Sequence, residues 1–206
     1  IIVLGVVIYW FLGSMEDVVL SKRINLMDSV SNEKELASLV VSVEDRLSYR
    51  PDNADYLNLA AQYRLANGDF GEGLMHLRKL AELVPDNAYV LASAARASFL
   101  ANDRVLGEEG RAYAEKSIAL DPEQELALGI LGFSAFSETK YSVALGYFSR
   151  LLALENSNSE NRVMLETFIT QSQLGIASKS GQAPEELRPP LSWLAVELII
   201  PENAAI

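Results

Sequence analysis

The sequence predicts an all-α solenoid, a stack of helix pairs, and three observations carry that prediction. Pro-Asp-Asn-Ala occurs at 51–54 and recurs letter for letter at 85–88, 34 residues on. A third proline, in Asp121-Pro122, follows in phase. Ala60, Ala61 and Gly73 are small where the two helices of a pair cross, which lets their axes approach. A fixed period with proline closing each second helix marks a repeat array. One unit of such an array cannot bury its own apolar face and must stack on a neighbour.

The elements follow in order. Residues 1–12 carry no charge and include Tyr9 and Trp10, with Gly13-Ser14 after them. A span needs about 20 apolar residues, so 1–13 reads as the outer end of a transmembrane helix, with its aromatic belt at Tyr9 and Trp10. Residues 14–32 mix charges and amides with isolated apolar residues and read as a tether. Leu36, Leu39, Val40, Val43 and Leu47 then recur at helical spacing, predicting a helix over 33–49 that ends before Pro51.

The first full repeat places helix A at 54–67 and helix B at 70–83, with Asn67-Gly68-Asp69 turning between them. The second, Ala88 to Pro122, carries three extra residues, which fall in the loop between its helices at Asn102 to Glu109. The third runs from Glu125 to Glu155, with Asn156 in place of the closing proline. Its Gly132 is expected to meet the B helix near Ala144. A last helix, about 159–174, covers the final apolar face and is expected to end at Gly175 as its C′ residue. The domain 33–175 is followed by 176–206, a linker and a strand-like tail in which Leu194, Val196, Leu198 and Ile200 alternate with their neighbours, which reads either as a strand that pairs elsewhere or as the start of a truncated β-domain.

Composition excludes several functions. A net charge of −11 with no basic run beyond Lys22-Arg23 argues against nucleic acid. No cysteine and one histidine, His76, leave little for thiolate metal sites, cysteine nucleophiles or a Ser-His-Asp triad. His76, on a B helix, reads as solvated. Catalysis, a bound cofactor or metal, and a small-molecule substrate are therefore not expected.

With a 34-residue period and Leu128, Leu131-Gly132, Tyr141, Ala144, Phe148 and Leu151 in phase, the array has the tetratricopeptide (TPR) pattern. More narrowly, the chain resembles the membrane-anchored TPR proteins of cytochrome c maturation, the CcmI/CycH family and its NrfG-type relatives. The resemblance covers about 33–175. It rests on Val43 to Pro51, the Leu-Ala-Asn-Asp-Arg insertion at 100–104, Ala119-Leu120-Asp121-Pro122, Leu128 to Gly132, and Tyr141 to Leu154.

That resemblance implies a chaperone or adaptor on the inner membrane, with its repeats facing the periplasm. Such a protein binds the C-terminal helix of apocytochrome c and delivers it to the haem-ligation subunits. The alternative is a structural or assembly subunit of a membrane complex, its groove filled by a neighbouring subunit. In a TPR array the second, fifth, ninth and twelfth positions of each A helix line the concave groove. Here these are Asp55, Asn58, Gln62 and Leu65, then Tyr89, Ala92, Arg96 and Phe99, then Leu126, Gly129, Phe133 and Phe136. The partner-binding residues expected from that set are Asn58, Gln62, Leu65, Tyr89, Arg96, Phe99, Phe133 and Phe136. Among them Arg96 is the cation suited to a carboxylate, because its planar fork can bind one in bidentate fashion.

Overall fold

The computed structural model describes residues 33–155 and 160–180, together with Leu20. The anchor expected over 1–13, the tether over 14–32 and the tail beyond 180 lie outside the described residues. Among those residues no helix is long and apolar enough to cross a membrane, and none of them is in a strand. They form eight helices: α1 Glu33–Tyr49, α2 Ala54–Ala66, α3 Phe70–Leu83, α4 Ala88–Ala101, α5 Glu108–Leu120, α6 Glu125–Ser137, α7 Tyr141–Leu154 and α8 Glu160–Lys179. Pairs α2–α3, α4–α5 and α6–α7 are the three predicted hairpins. The chain divides at Pro85–Asp86 into two compact units, the first holding α1–α3 and the second α4–α8.

The repeated Pro-Asp-Asn-Ala is punctuation. Asn53 and Asn87 are the N-caps of α2 and α4, and their side chains accept from the N–H groups of Tyr56 and Val90 at 3.0 and 3.1 Å. Each cap satisfies one of the four N–H groups that a helix start leaves unpaired. In the third repeat Gln124 takes over, accepting from Leu126 N–H at 2.9 Å. A basic residue on each B helix then reaches back to the corner before its own A helix. Lys79 pairs with Asp52 at 3.0 Å, Lys116 with Asp86 at 3.9 Å, and Arg150 donates to the Pro122 carbonyl at 2.6 Å.

The A-to-B turns are equally regular. In each, a residue with positive φ, Gly68 (81°), Asp103 (50°) or Thr139 (57°), lets the next N–H bond back five residues, and in the second turn Arg104 (65°) is left-handed as well. The bonds are Asp69 to Arg64, Arg104 to Phe99 and Lys140 to Ala135, all at 2.8 Å. This is the left-handed helix stop. The second repeat makes the same stop and only then inserts Val105, Leu106 and Gly107 before α5. The insertion is more than a surface loop, because Leu106 is buried with Phe99, Ala114 and Ile130.

In the first unit, Arg64 on α2 binds Glu44 of α1 through two bonds of 2.7 Å and also reaches Asp69 and Glu72 at the start of α3, at 3.2 and 2.8 Å. Paired charge-assisted bonds of this kind fix geometry as well as adding energy. His76, read from the sequence as solvated, is buried, with its Nε2 3.7 Å from the Glu44 carboxylate. It lies on the α3 stripe of Gly73, Leu77 and Leu80, the buried side of that helix.

In the second unit, α5 is tied to the end of α6 by Arg111, which donates to Ser134 at 3.1 Å and to Glu138 at 2.6 Å. Packing of α8 on α7 builds an aromatic box. Phe168 of α8 stacks on Phe148 at 5.2 Å and meets Phe133 and Phe136 edge-on at 4.9 and 5.4 Å. Gly175 does not end the last helix, which runs to Lys179. It is small because the Tyr141 ring occupies the place a Cβ would take.

Gly132 faces the ring of Phe148, one turn beyond Ala144. A Cβ added there would stand 2.8 Å from Phe148 Cε1. That ring is fully buried and held by Phe133 and Phe168, so it cannot swing aside. Gly132→Leu should destabilise the second unit by about 1–3 kcal/mol from overpacking. Better helix propensity offsets less than about 1 kcal/mol of this. Urea unfolding followed by far-UV dichroism checks it, and an unchanged midpoint would contradict the packing described.

A second prediction concerns His76. Burial is the largest influence on the ring and disfavours its charged form, while the Glu44 carboxylate pulls the other way. Its pKa is therefore lowered from the ordinary 6.5. Between the folded value and 6.5 the unfolded chain holds the extra proton, so stability falls as pH drops through that window. Glu44, held down first by its bonds from Arg64, acts in the same direction at lower pH. His76 is the single histidine of the chain, so its ring resonances report the titration without assignment. A midpoint below 6.5 is expected, moving further down in Glu44→Gln; a midpoint above 6.5 would mean that the carboxylate outweighs burial.

Candidate functional site

The A-helix positions that TPR phasing nominates fall into two groups in the structure. The twelfth position is turned inward in every repeat: Leu65, Phe99 and Phe136 are 6, 7 and 9% exposed. In each repeat the residues that follow the turn, or the inserted Leu106 in the second, pack over the last turn of helix A. Leu65 fills the space beside Gly73. Phe99 packs with Leu106 and Ala114, and Phe136 meets Tyr141 edge-on at 5.6 Å. These three side chains belong to the hairpin cores.

The remaining positions keep an outward component. In the first unit, Asn58 and Gln62 on α2 are half-buried and Asp55 is exposed, a polar strip at spacings of three and four on one helix face. In the second unit, Tyr89 opens α4 and is 43% exposed. Ala92 follows with no exposure at all, then Arg96. On α6, which packs against α4, Leu126 and Phe133 are half-buried. Phe133 gives its ring to the box of Phe148 and Phe168, so part of its surface is committed to the core.

Arg96 is the unusual member. It is 9% exposed and its Nε has no hydrogen-bond partner. Burial is the largest influence on the guanidinium and pushes its pKa below the ordinary arginine value, while the Tyr89 phenol alone works in its favour. Sequence reading placed Arg96 on this face but gave no sign that it is buried without a counter-charge. The surrounding run Ala92-Ser93-Ala94-Ala95 and Ala97-Ser98 is the signal that could have shown it. Short side chains on every side leave room for a long one to lie along the helix.

Three comparisons bear on what such a chain is. No protein-family model matches it. It is 26% identical over 133 residues to the formate-dependent nitrite reductase complex subunit NrfG of Escherichia coli O157:H7, a match covering 65% of this chain and 67% of that protein. It is 21% identical over 184 residues to the cytochrome c-type biogenesis protein CycH of Pseudomonas aeruginosa, covering 89% of this chain but only 43% of CycH. Among solved structures, MamA superposes with a TM-score of 0.65 at 13% identity, over 79% of this chain and 85% of that one. A second MamA structure gives 0.55 over 72% and 93%. At such identity MamA speaks for the fold alone. The described residues thus have an all-α, TPR-type fold like that of MamA, and the chain is related by sequence, at low identity, to NrfG and CycH.

Proposed function

We propose that the chain is a membrane-anchored TPR adaptor of cytochrome c maturation, working on the periplasmic side of the inner membrane. It binds the C-terminal helix of an apocytochrome c and passes the polypeptide to the haem-ligation subunits, without catalysing a step itself. The observation that carries this reading is the relationship to both NrfG and CycH, since the name of one refers to cytochrome c biogenesis and that of the other to a nitrite reductase complex. The chain spans less than half of CycH. The role proposed is accordingly that of the repeats alone.

Within the second unit, the surface suited to a helix is the α4–α6 face bearing Tyr89, Leu126 and Phe133. It offers an exposed aromatic beside partly open apolar side chains. An amphipathic helix docks on such a face through a few apolar anchors within a polar rim. The strip of Asn58 and Gln62 on α2 is a separate polar surface that can bond a partner's backbone or amides. Attraction to phosphates plays no part, given the charge of −11.

A second reading follows from the description of NrfG as a complex subunit. Here the same face would hold a permanent neighbour. The two readings differ in lifetime and stoichiometry, because an adaptor releases its cargo.

Fluorescence anisotropy with a synthetic C-terminal helix peptide of an apocytochrome c tests the first reading. Binding should be saturable and should beat a scrambled peptide of equal composition. Tyr89→Ala should weaken it by about 1–2 kcal/mol, on the scale of an interface anchor, with the far-UV spectrum unchanged because Tyr89 is not a core residue. Equal affinity for the scrambled peptide would remove the proposed recognition. Recovery of the chain only in a fixed stoichiometric complex that never exchanges the peptide would favour the second reading.

A further inference from the structure

The chain contains one Asn-Gly dipeptide, Asn67-Gly68, and it stands in the A-to-B turn of the first unit. Every other asparagine is followed by a residue with a side chain, including the N-caps Asn53 and Asn87, which precede alanine. That difference is chemical. An asparagine side-chain carbonyl lies within reach of the next residue's backbone nitrogen, and a Cβ on that residue obstructs the approach, whereas glycine has none. Asn67 and Gly68 are both exposed, and nothing lies within 4 Å of the place a Gly68 Cβ would take, so water has open access to the pair. Glycine serves the φ of 81° here and fills no packing need. Asp103 and Thr139 supply the same conformation in the other two turns, so the reactive pair belongs to the first turn alone.

In the folded chain the turn holds this pair in an unreactive arrangement. Asn67 is the C-cap of α2, with φ −86° and ψ 0°. At that ψ the Gly68 nitrogen eclipses the backbone nitrogen of Asn67, whereas closing a ring through the side chain requires it to eclipse Cβ. Three bonds maintain the arrangement. Asn67 Nδ2 donates to the Tyr63 carbonyl at 2.9 Å, Gly68 N–H to the Leu65 carbonyl at 3.2 Å, and Asp69 N–H to the Arg64 carbonyl at 2.8 Å. All lie at an exposed helix end, where local opening costs least.

We infer that Asn67 is a self-modification site gated by this turn. When the turn opens, the Gly68 nitrogen gives up its proton to solvent and attacks Asn67 Cγ; the Cγ–Nδ2 bond breaks, ammonia leaves, and a cyclic imide joins the two residues. One water then opens the ring at either carbonyl, giving aspartate or, with the main chain routed through the side chain, isoaspartate. Water is consumed, ammonia is released, and nothing is oxidised or reduced. The new carboxylate cannot donate to the Tyr63 carbonyl, and it puts negative charge at the C-terminal end of α2, where the helix dipole opposes it. It also joins Asp69 and Glu72, acids that already share Arg64. Isoaspartate goes further, because one added main-chain atom within the turn displaces the Asp69 N–H from the Arg64 carbonyl. Arg64 ties Glu44 of α1 to the start of α3, so a spoiled turn loosens all three helices of the first unit. This chemistry is independent of any partner.

The full 206-residue chain provides the test. Cleavage after Arg64 and Arg78 releases the peptide 65–78, in which Asn67 is the single amide side chain, so an amide-to-acid mass gain in it reports this site alone. After incubation of the folded chain in mildly alkaline heavy-oxygen water, that peptide should carry the heavy oxygen, as separable aspartate and isoaspartate forms, ahead of every other amide-bearing peptide. Urea should accelerate the reaction by about tenfold or more, because it removes the gate. Asn67→Gln should stop it. Conversion of other peptides with none in 65–78 would overturn the site, and equal rates with and without urea would overturn the gating. The consequence has its own measurement, urea unfolding of the first unit followed at the ring resonances of His76, which is buried in α3 near Glu44. Asn67→Asp should lower the midpoint, and aged protein enriched in isoaspartate should lower it further. Midpoints equal to the parent's in both would leave a modification without effect and overturn the proposed loosening.

Discussion

Two helices joined by a turn of a few residues must touch along their length, and most of this structure is a consequence of that constraint. Contact is possible only where one helix offers small residues to the bulk of the other, as Gly73 does to Leu65 and Gly132 to Phe148. The turn itself must reverse the chain within about three residues. This demands a left-handed residue, which the protein takes from Gly68 in one case and from Asp103 and Thr139 in the others. Non-glycine residues accept that conformation at a modest cost, and the backbone bond that follows it offsets the cost by satisfying a helix-end carbonyl. In each repeat the twelfth A-helix position is turned into the hairpin.

Much of this was legible in the sequence because it is written in backbone chemistry. Proline stops a helix wherever it stands, and asparagine caps the next. The period of Pro51, Pro85 and Pro122 therefore located every hairpin without knowledge of packing. Glycine was read less well, because it serves two purposes. Gly175 was taken for a helix stop, whereas its purpose is to admit the Tyr141 ring against a helix that continues to Lys179. His76 failed for a related reason. Its helix face was judged from the repeat pattern, but in the first unit α1 supplies Glu44 opposite it, a partner that no periodicity announces. The insertion at 105–107 was seen as length and not as packing, since a single leucine between two polar loops gives no periodic signal.

The phasing nominated residues on the A helices for a partner face but could not order their side chains by depth. A position rule assigns direction, and depth depends on what stands opposite. Tyr89 sits at the first turn of α4, where little packs over it, and remains open. Phe133, at the ninth position of α6, meets the terminal helix through Phe168 and is half committed. Arg96, at the same ninth position of α4, is surrounded by alanine and serine and sinks into the space they leave. One rule thus gives three environments, and the difference lies in residues far away in sequence.

The electrostatics of the chain are set by its acidity. An excess of eleven negative charges raises solubility and discourages non-specific capture of nucleic acid or other acidic polymers. Its described cations are mostly absorbed by internal duties: the basic residue of each B helix binds its own A-helix corner, and Arg64 and Arg111 tie one helix to another. A protein arranged this way has little positive charge left for its surface, so any cation it leaves unpaired is conspicuous in energy as well as in position. Water solvates an exposed lysine cheaply, which makes such a residue uninformative about partners. A buried guanidinium with an unmet donor is different, because its desolvation stands uncompensated among the described residues.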